Sequence, residues 1–386
     1  MARKRTLDQH IALFGESGCG KTVLVSSFYG KAQEPDSTSP YSVHAAKTGQ
    51  GVKLHQNYLG MRDSSRAPDL TKFDASSYEF LVKLKNRGET DKNRPFDVLR
   101  LVWHDYPGEW FEEDLSSDEE EQRRVETFRS LLKSDVAFFL VDGQRLLDNA
   151  GEEERYLKSV FTNFSNGLDA LQEDILENGK KLAQFPRIWV IALSKADLLP
   201  ELDVVAFRDL VIEKAAGEVV RLNDTLGRFL DSEAALAVGE DFMLLSSAKF
   251  EAGYIEVDER MGVDLMLPLA SLLALERHTR WASNRLLPAR ILENFHTPRS
   301  FKAVLLAAAI LGRRLRSGRL SAIQTAIEIL LPGDVVEEAV NLVGEKLREA
   351  NAEAVDKHQH LAAMLTEFKI KLEEAEKSGV FLRSER

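Results

Sequence analysis

The chain has 386 residues, 44% hydrophobic and 29% charged, with 51 Lys and Arg against 62 Asp and Glu and a net charge of −11. At roughly 150 residues per domain this is room for one large or two ordinary domains, and the acidic balance disfavours general attraction to nucleic acid or anionic lipid. The single cysteine, Cys19, cannot form an internal disulfide, and the longest apolar run, Ala303–Leu311, is far short of the roughly 18–20 residues of a membrane span. No apolar stretch of leader length follows the basic Met1–Arg5, so the expectation is a cytoplasmic protein without a transmembrane segment.

In chain order, His10–Phe14 is a short apolar run ending in a glycine turn, and Lys21–Tyr29 has a helical pattern. Gly30–Thr71 is rich in Ser, Pro and Gly and predicts a long mobile loop, an insertion over about residues 31–75. Tyr78–Leu84 and Asp97–His104 have strand composition, with Asn86-Arg87-Gly88 offering a turn after the first. Asp135–Val141, Arg187–Leu193 and Asp241–Leu245 are near-continuous apolar runs, as expected of parallel strands buried on both faces. Helical patterns over about Asp118–Lys133, Glu152–Leu182 and Asp203–Leu230 alternate with them. This order predicts a doubly wound, mostly parallel α/β sheet over residues 1–280, with its ligand at the carboxyl ends of the strands.

After Met261 the strand signals stop. Gly262–Arg280 reads as a helix closing the α/β domain, and residues 281–386 read as an α-helical C-terminal region. Asp334 and Glu337 form a capping box after Leu331-Pro332-Gly333. From Val336 through Val340, Val343, Leu347, Asn351, Ala354, His358, Leu361, Leu365, Phe368, Leu372 and Ala375 the spacing alternates four and three, until Ser378-Gly379 ends it. A heptad seam over about 334–378 suits a long helix packed on its own domain or a coiled-coil contact, including a homodimer.

Gly15-Glu16-Ser17-Gly18-Cys19-Gly20-Lys21-Thr22 matches the phosphate-binding pattern G-x-x-x-x-G-K-[ST] at every specified position, between a strand and a helix. Small residues let backbone N–H groups approach phosphate oxygens, and the helix N-terminus adds partial positive charge. Lys21 would reach the β- and γ-phosphates, and Thr22 would coordinate Mg²⁺. Asp105-Tyr106-Pro107-Gly108 ends a strand-like run, where Asp105 can hold Mg²⁺ through a water and Gly108 can turn an N–H to the γ-phosphate. In Ser194-Lys195-Ala196-Asp197, the Asp197 carboxylate can accept from N1–H and the 2-amino group of guanine, a pairing adenine cannot satisfy. The Lys195 stem can lie over the base plane, and Ser246-Ser247-Ala248-Lys249 can present the Ala248 N–H to guanine O6.

Together these segments resemble the phosphate-loop, D-x-x-G, N/T-K-x-D and S-A-K motifs of translation-factor and Ras-like P-loop GTPases, over roughly residues 8–275. The resemblance implies Thr22 and Asp105 as magnesium residues and Ser194, Lys195, Asp197, Ser247, Ala248 and Lys249 as guanine-site residues. Ser194 stands where the family usually carries Asn or Thr. The longer run Asp105-Tyr106-Pro107-Gly108-Glu109-Trp110, with SKAD and the long insertion, resembles the YcjX-like bacterial stress-protein GTPases and the related double-GTPase group. A switch threonine that senses the γ-phosphate through Mg²⁺ should precede the second strand; Thr71 is best placed and Thr48 is the alternative. Glu109 occupies the place of the water-orienting glutamine of Ras-like enzymes, and its repulsion by the γ-phosphate predicts slow hydrolysis, open to acceleration by a protein partner. The expected function is a GTPase switch with GTP or GDP as ligand and Mg²⁺ as cofactor, its partners meeting the switch segments and the helical tail. A P-loop ATPase, or a nucleotide-binding interaction module with negligible hydrolysis, is the alternative.

Overall fold

The computed structural model describes residues 6–34, 41–68, 76–84, 98–105, 118–176, 179–182, 185–230, 236–251, 253–274, 276–277 and 367–384. The apolar runs become strands as expected: β1 (Thr6–Gly15), β3 (Ser76–Leu84), β4 (Val98–Asp105), β5 (Val136–Asp142), β6 (Ile188–Ser194) and β7 (Ala237–Leu245). With β2 (Tyr41–Ala45) and the terminal β10 (Phe381–Leu382) they form one eight-stranded sheet, ordered β10-β7-β6-β5-β1-β4-β3-β2. The five central strands pair in parallel, while β3, β2 and β10 add antiparallel edges. Every residue of β5 and β6 is buried, which is why those segments read as unbroken apolar runs.

Helices cover both faces. On one, α1 (Lys21–Ala32) packs with Ile11, Leu13 and Trp103, joined by the helical turns of Val263–Leu273. On the other, α3 (Asp118–Leu131), α5 (Glu153–Ala170) and α7 (Val204–Gly227) bury Ala12, Phe14, Phe139 and Trp189. Aromatic rings tighten this second layer: Phe14 stacks on Trp189 at 5.1 Å and Phe139 on Phe161 at 4.9 Å between centroids. The short α4 (Gly143–Asp148) follows β5 directly.

Three segments differ from the sequence expectation. Gly30–Thr71, expected as a loop, contains β2 and the seventeen-residue α2 (Thr48–Ser64). Gly51, Leu54, Tyr58 and Met61 are the buried stripe of α2, at a helical spacing that the polar residues between them obscure. Its docking depends on Gly30 of α1, where an added Cβ would lie 2.0 Å from the Tyr58 ring. The pattern Glu152–Leu182 divides at Leu171 into α5 and the four-residue α6 (Gln172–Ile175). The helix expected over Gly262–Arg280 is a succession of 3-10, α and π turns through Leu273.

The chain end returns to the sheet. Residues 367–377 are helical, and Phe381 and Leu382 pair with Met243 and Phe242 at the β7 edge. Asp241, fully buried, accepts hydrogen bonds from Arg277 Nη2 at 2.8 Å and from the Ser384 N–H at 2.9 Å. Phe368, Leu372 and Ala375, the last apolar positions of the heptad seam, enter the first core layer. At this end the seam packs on its own domain; the seam before 367 and the expected helices of Trp281–Leu330 lie outside the described residues. Among the described residues no helix is long and apolar enough to cross a membrane.

Candidate functional site

The phosphate loop is built by one strand end and one helix start. β1 stops at Gly15, where an added Cβ would lie 2.9 Å from Leu140 Cβ and 2.8 Å from Cys19 Sγ, so only glycine lets the loop cross β5 this closely. Gly18 (φ 79°) and Gly20 (φ 91°) take the left-handed conformation that turns the chain into α1, and Gly20 is its N-cap. Lys21, almost wholly buried, donates from Nζ to the carbonyls of Gly15 at 2.8 Å and Glu16 at 3.0 Å. Its ammonium therefore closes the mouth of the loop. Thr22 is the second residue of α1. The Glu16 side chain turns out of the loop, accepting from Arg145 Nη1 at 2.7 Å and from the Tyr156 hydroxyl at 3.1 Å. Arg145 Nη2 also bonds the Ser17 carbonyl at 3.3 Å, so α4 and α5 brace the loop from outside.

The SKAD end of the site is assembled from separate strand ends. Ser194 Oγ donates to the Val141 carbonyl at 3.2 Å, tying β6 to β5. Lys195 adopts a left-handed backbone (φ 54°), rare for a side chain with a Cβ, and its ammonium pairs with Asp142 Oδ2 at 2.8 Å. Asp142 also caps α4 through the Gln144 N–H, and Gly143 fits beneath Ser194 and Lys195 because an added Cβ would come within 2.6 Å of the Ser194 carbonyl. Asp197 Oδ1 accepts from Ser246 Oγ at 2.6 Å, which joins the ends of β6 and β7. The Ser247 carbonyl in turn accepts from Ser27 Oγ of α1 at 2.7 Å. Between the two ends lies a cleft of about 360 Å³, lined by Gly18, Cys19 and Gly20 at one side and by Ser194, Lys195, Asp197, Ser247 and Ala248 at the other. That is the size and polarity of a small-ligand site.

A family model, Double-GTPase 2, matches residues 9–231. The chain belongs to the Double-GTPase 2 family. The expected resemblance to P-loop GTPases of the double-GTPase group is borne out. The match runs from β1 through the phosphate loop, Asp105 and SKAD, and stops before Ser246–Lys249. Comparison with curated proteins finds no match. Among solved structures the chain is similar, at 16% identity and a TM-score of 0.24, to one described as "An oligomerised bacterial dynamin pair provides a mechanism for the long-range sensing and tethering of membranes". That alignment covers 96% of this chain and 60% of the other.

The remaining site residues of this Double-GTPase 2 chain divide into three groups. Asp105 is buried at the C-terminal end of β4, one strand over from the phosphate loop, and a hydroxyl and a carboxylate (Thr22 and Asp105) are the hard oxygen donors that suit Mg²⁺. Lys249 pairs with Glu251 at 3.0 Å and Glu259 at 3.3 Å and is not among the residues lining the cleft. Thr71, Gly108 and Glu109 lie outside the described residues, while Thr48 is the exposed first residue of α2.

Burial pushes the Cys19 thiol up despite the opposing pull of Lys21, so it behaves as a small apolar wall. His104 is the strand residue the sequence suggested: it stacks on His10, and burial lowers its pKa to about 4. Asp142, Arg145, Tyr156 and Gln144 were missed from the sequence. The run Val141-Asp142-Gly143-Gln144-Arg145, a glycine directly after a buried strand, was the available signal.

Proposed function

We propose that this protein binds GTP and GDP in the cleft between the phosphate loop and SKAD and hydrolyses GTP slowly to GDP and phosphate. The observation that carries the reading is the cleft itself, which has a lysine-closed glycine loop at one end and a tethered carboxylate at the other. Asp197 would accept from the guanine N1–H and 2-amino groups, held at the correct angle by Ser246. Lys195, oriented by Asp142, would lie over the base, and Ala248 would offer its N–H to O6.

At the phosphate end Lys21 would leave the Gly15 and Glu16 carbonyls for the phosphate oxygens, and the amides of Ser17–Lys21 would surround them. Mg²⁺, when bound by Thr22 and Asp105, would supply charge neutralisation at the transferring phosphoryl group. Thr71 is our choice for the switch threonine and Gly108 for the γ-phosphate amide. A carboxylate at Glu109 in the water-orienting position would serve poorly and keep the intrinsic rate low. Loss of the γ-phosphate would release the segments around Thr71 and Gly108, changing what protein partners meet.

The test is titration of labelled GDP and a non-hydrolysable GTP analogue in Mg²⁺, each competed with ATP, with phosphate release measured alongside. A guanine preference of about ten-fold or more that collapses in Asp197→Ala supports the reading. Equal affinity for ATP returns the protein to the P-loop ATPase class, and tight GTP binding without phosphate release makes it a binding module.

A further inference from the structure

The base loop continues into a hairpin, β8 (Lys249–Glu251) and β9 (Tyr254–Glu256), in which Phe250 pairs directly with Ile255. Directly opposed residues of an antiparallel pair project from the same face. Ile255 is buried on that face with Tyr58, Met61, Ala248 and Val257, and Val23 of α1 packs against the group. Val23 and Ala248 also line the nucleotide cleft, so this face of the hairpin is the one turned to it. On the opposite face Lys249 and Glu251 pair with each other. Phe250 itself is 47% exposed and lines the cleft, the one aromatic side chain among the described residues that does so.

A lone exposed phenylalanine means little on a surface. This one lines a pocket that also holds the Asp197 carboxylate and the Lys195 side chain. It sits on a hairpin whose same face is packed, through Ile255, against Tyr58 and Met61 of α2. A flat apolar ring so placed recognises the face of a heterocycle, because every base has a π-face and stacking ignores the exocyclic groups. We propose that Phe250 is the aromatic cover of the base pocket, stacking on the nucleobase while Asp197 reads its edge. This rests on the guanine-nucleotide reading of the cleft and assigns it a residue outside the matched motifs. The division of labour is specific: Phe250 sets affinity for nucleotides of any base, and Asp197 sets preference among them.

The experiment measures dissociation constants of GDP, inosine diphosphate and ADP, by displacement of ribose-labelled GDP from the full chain. The variants are Phe250→Ala, Phe250→Leu, Phe250→Trp and Asp197→Ala. Phe250→Ala should weaken all three ligands about ten-fold, equivalent to about 1.4 kcal/mol, and in the same ratio. Phe250→Trp should restore binding, Phe250→Leu should restore only part of it, and inorganic pyrophosphate should bind equally to all four Phe250 forms. An unchanged affinity in Phe250→Ala, a loss confined to one base, or full rescue by leucine overturns the proposal. If the wild-type chain does not distinguish GDP from ADP, the guanine reading fails. The Phe250→Ala arm then still decides the stacking role on ADP.

Discussion

The two ends of the cleft are made in opposite ways. The phosphate end comes from eight consecutive residues, Gly15–Thr22, and its chemistry is mostly backbone. Three glycines set the path, and one lysine closes it onto its own carbonyls at 2.8 and 3.0 Å. The base end has no such local origin. It gathers the ends of β5, β6 and β7, a hairpin after β7, and the inserted α2 that packs against that hairpin. A site made from one turn should fail as a unit, whereas a site made from five elements should fail in parts, with affinity, preference and support separable by mutation.

The strongest contrast is expected from Lys21→Ala. It removes the charged donor from the phosphate end and should weaken GDP, GTP and ATP alike by about 100-fold, read by titration. A loss that depends on the base would break the comparison. Gly30→Ala comes next, because its methyl group would meet the Tyr58 ring and displace α2. A thermal or denaturant melt should show about 1–3 kcal/mol of lost stability. Nucleotide affinity should fall with it while the guanine preference survives, since α2 supports the hairpin without touching a base edge.

Asp197→Ala should leave folding intact and remove about ten-fold of guanine over adenine preference, with pyrophosphate binding unchanged. The smallest effect belongs to Ser246→Ala. It frees the Asp197 carboxylate from a 2.6 Å tether and should cost a few-fold in guanine preference, in keeping with about 0.5–1.5 kcal/mol for one hydrogen bond. If Ser246→Ala equals Asp197→Ala, the tether rather than the carboxylate governs the choice of base.

Much of this arrangement was legible in the sequence, and the reasons differ by element. The central strands announced themselves because burial on both faces demands continuous apolar residues, as in Val136–Asp142 and Ile188–Ser194. The phosphate loop was legible because its requirements are local: glycine where φ is positive at 18 and 20, and lysine directly after the second. Asp105 and SKAD followed from their places at strand ends. By contrast α2 was hidden, since its buried residues Gly51, Leu54, Tyr58 and Met61 are thinly spaced among polar ones. Its place depends on Gly30, in a different helix. Lys249 was named from its motif position, and its ion pairs with Glu251 and Glu259 became visible only once the hairpin was in place.

The sequence by itself therefore determined the α/β class, the order of the central elements, the phosphate loop and the SKAD segment whose Asp197 lines the cleft. Only the tertiary structure decided which side chains orient those groups. Asp142 is 53 residues from Lys195, Ser246 is 49 from Asp197, and Arg145 is 129 from Glu16. It also decided that Phe381 and Leu382 complete the sheet beside β7, with Ser384 held on the buried Asp241–Arg277 pair, and that Phe250 lines the cleft. The physical reason is range. Backbone conformation and burial periodicity are written within a turn or a strand, whereas hydrogen bonds and ion pairs between distant residues exist only after the sheet has brought its strand ends together.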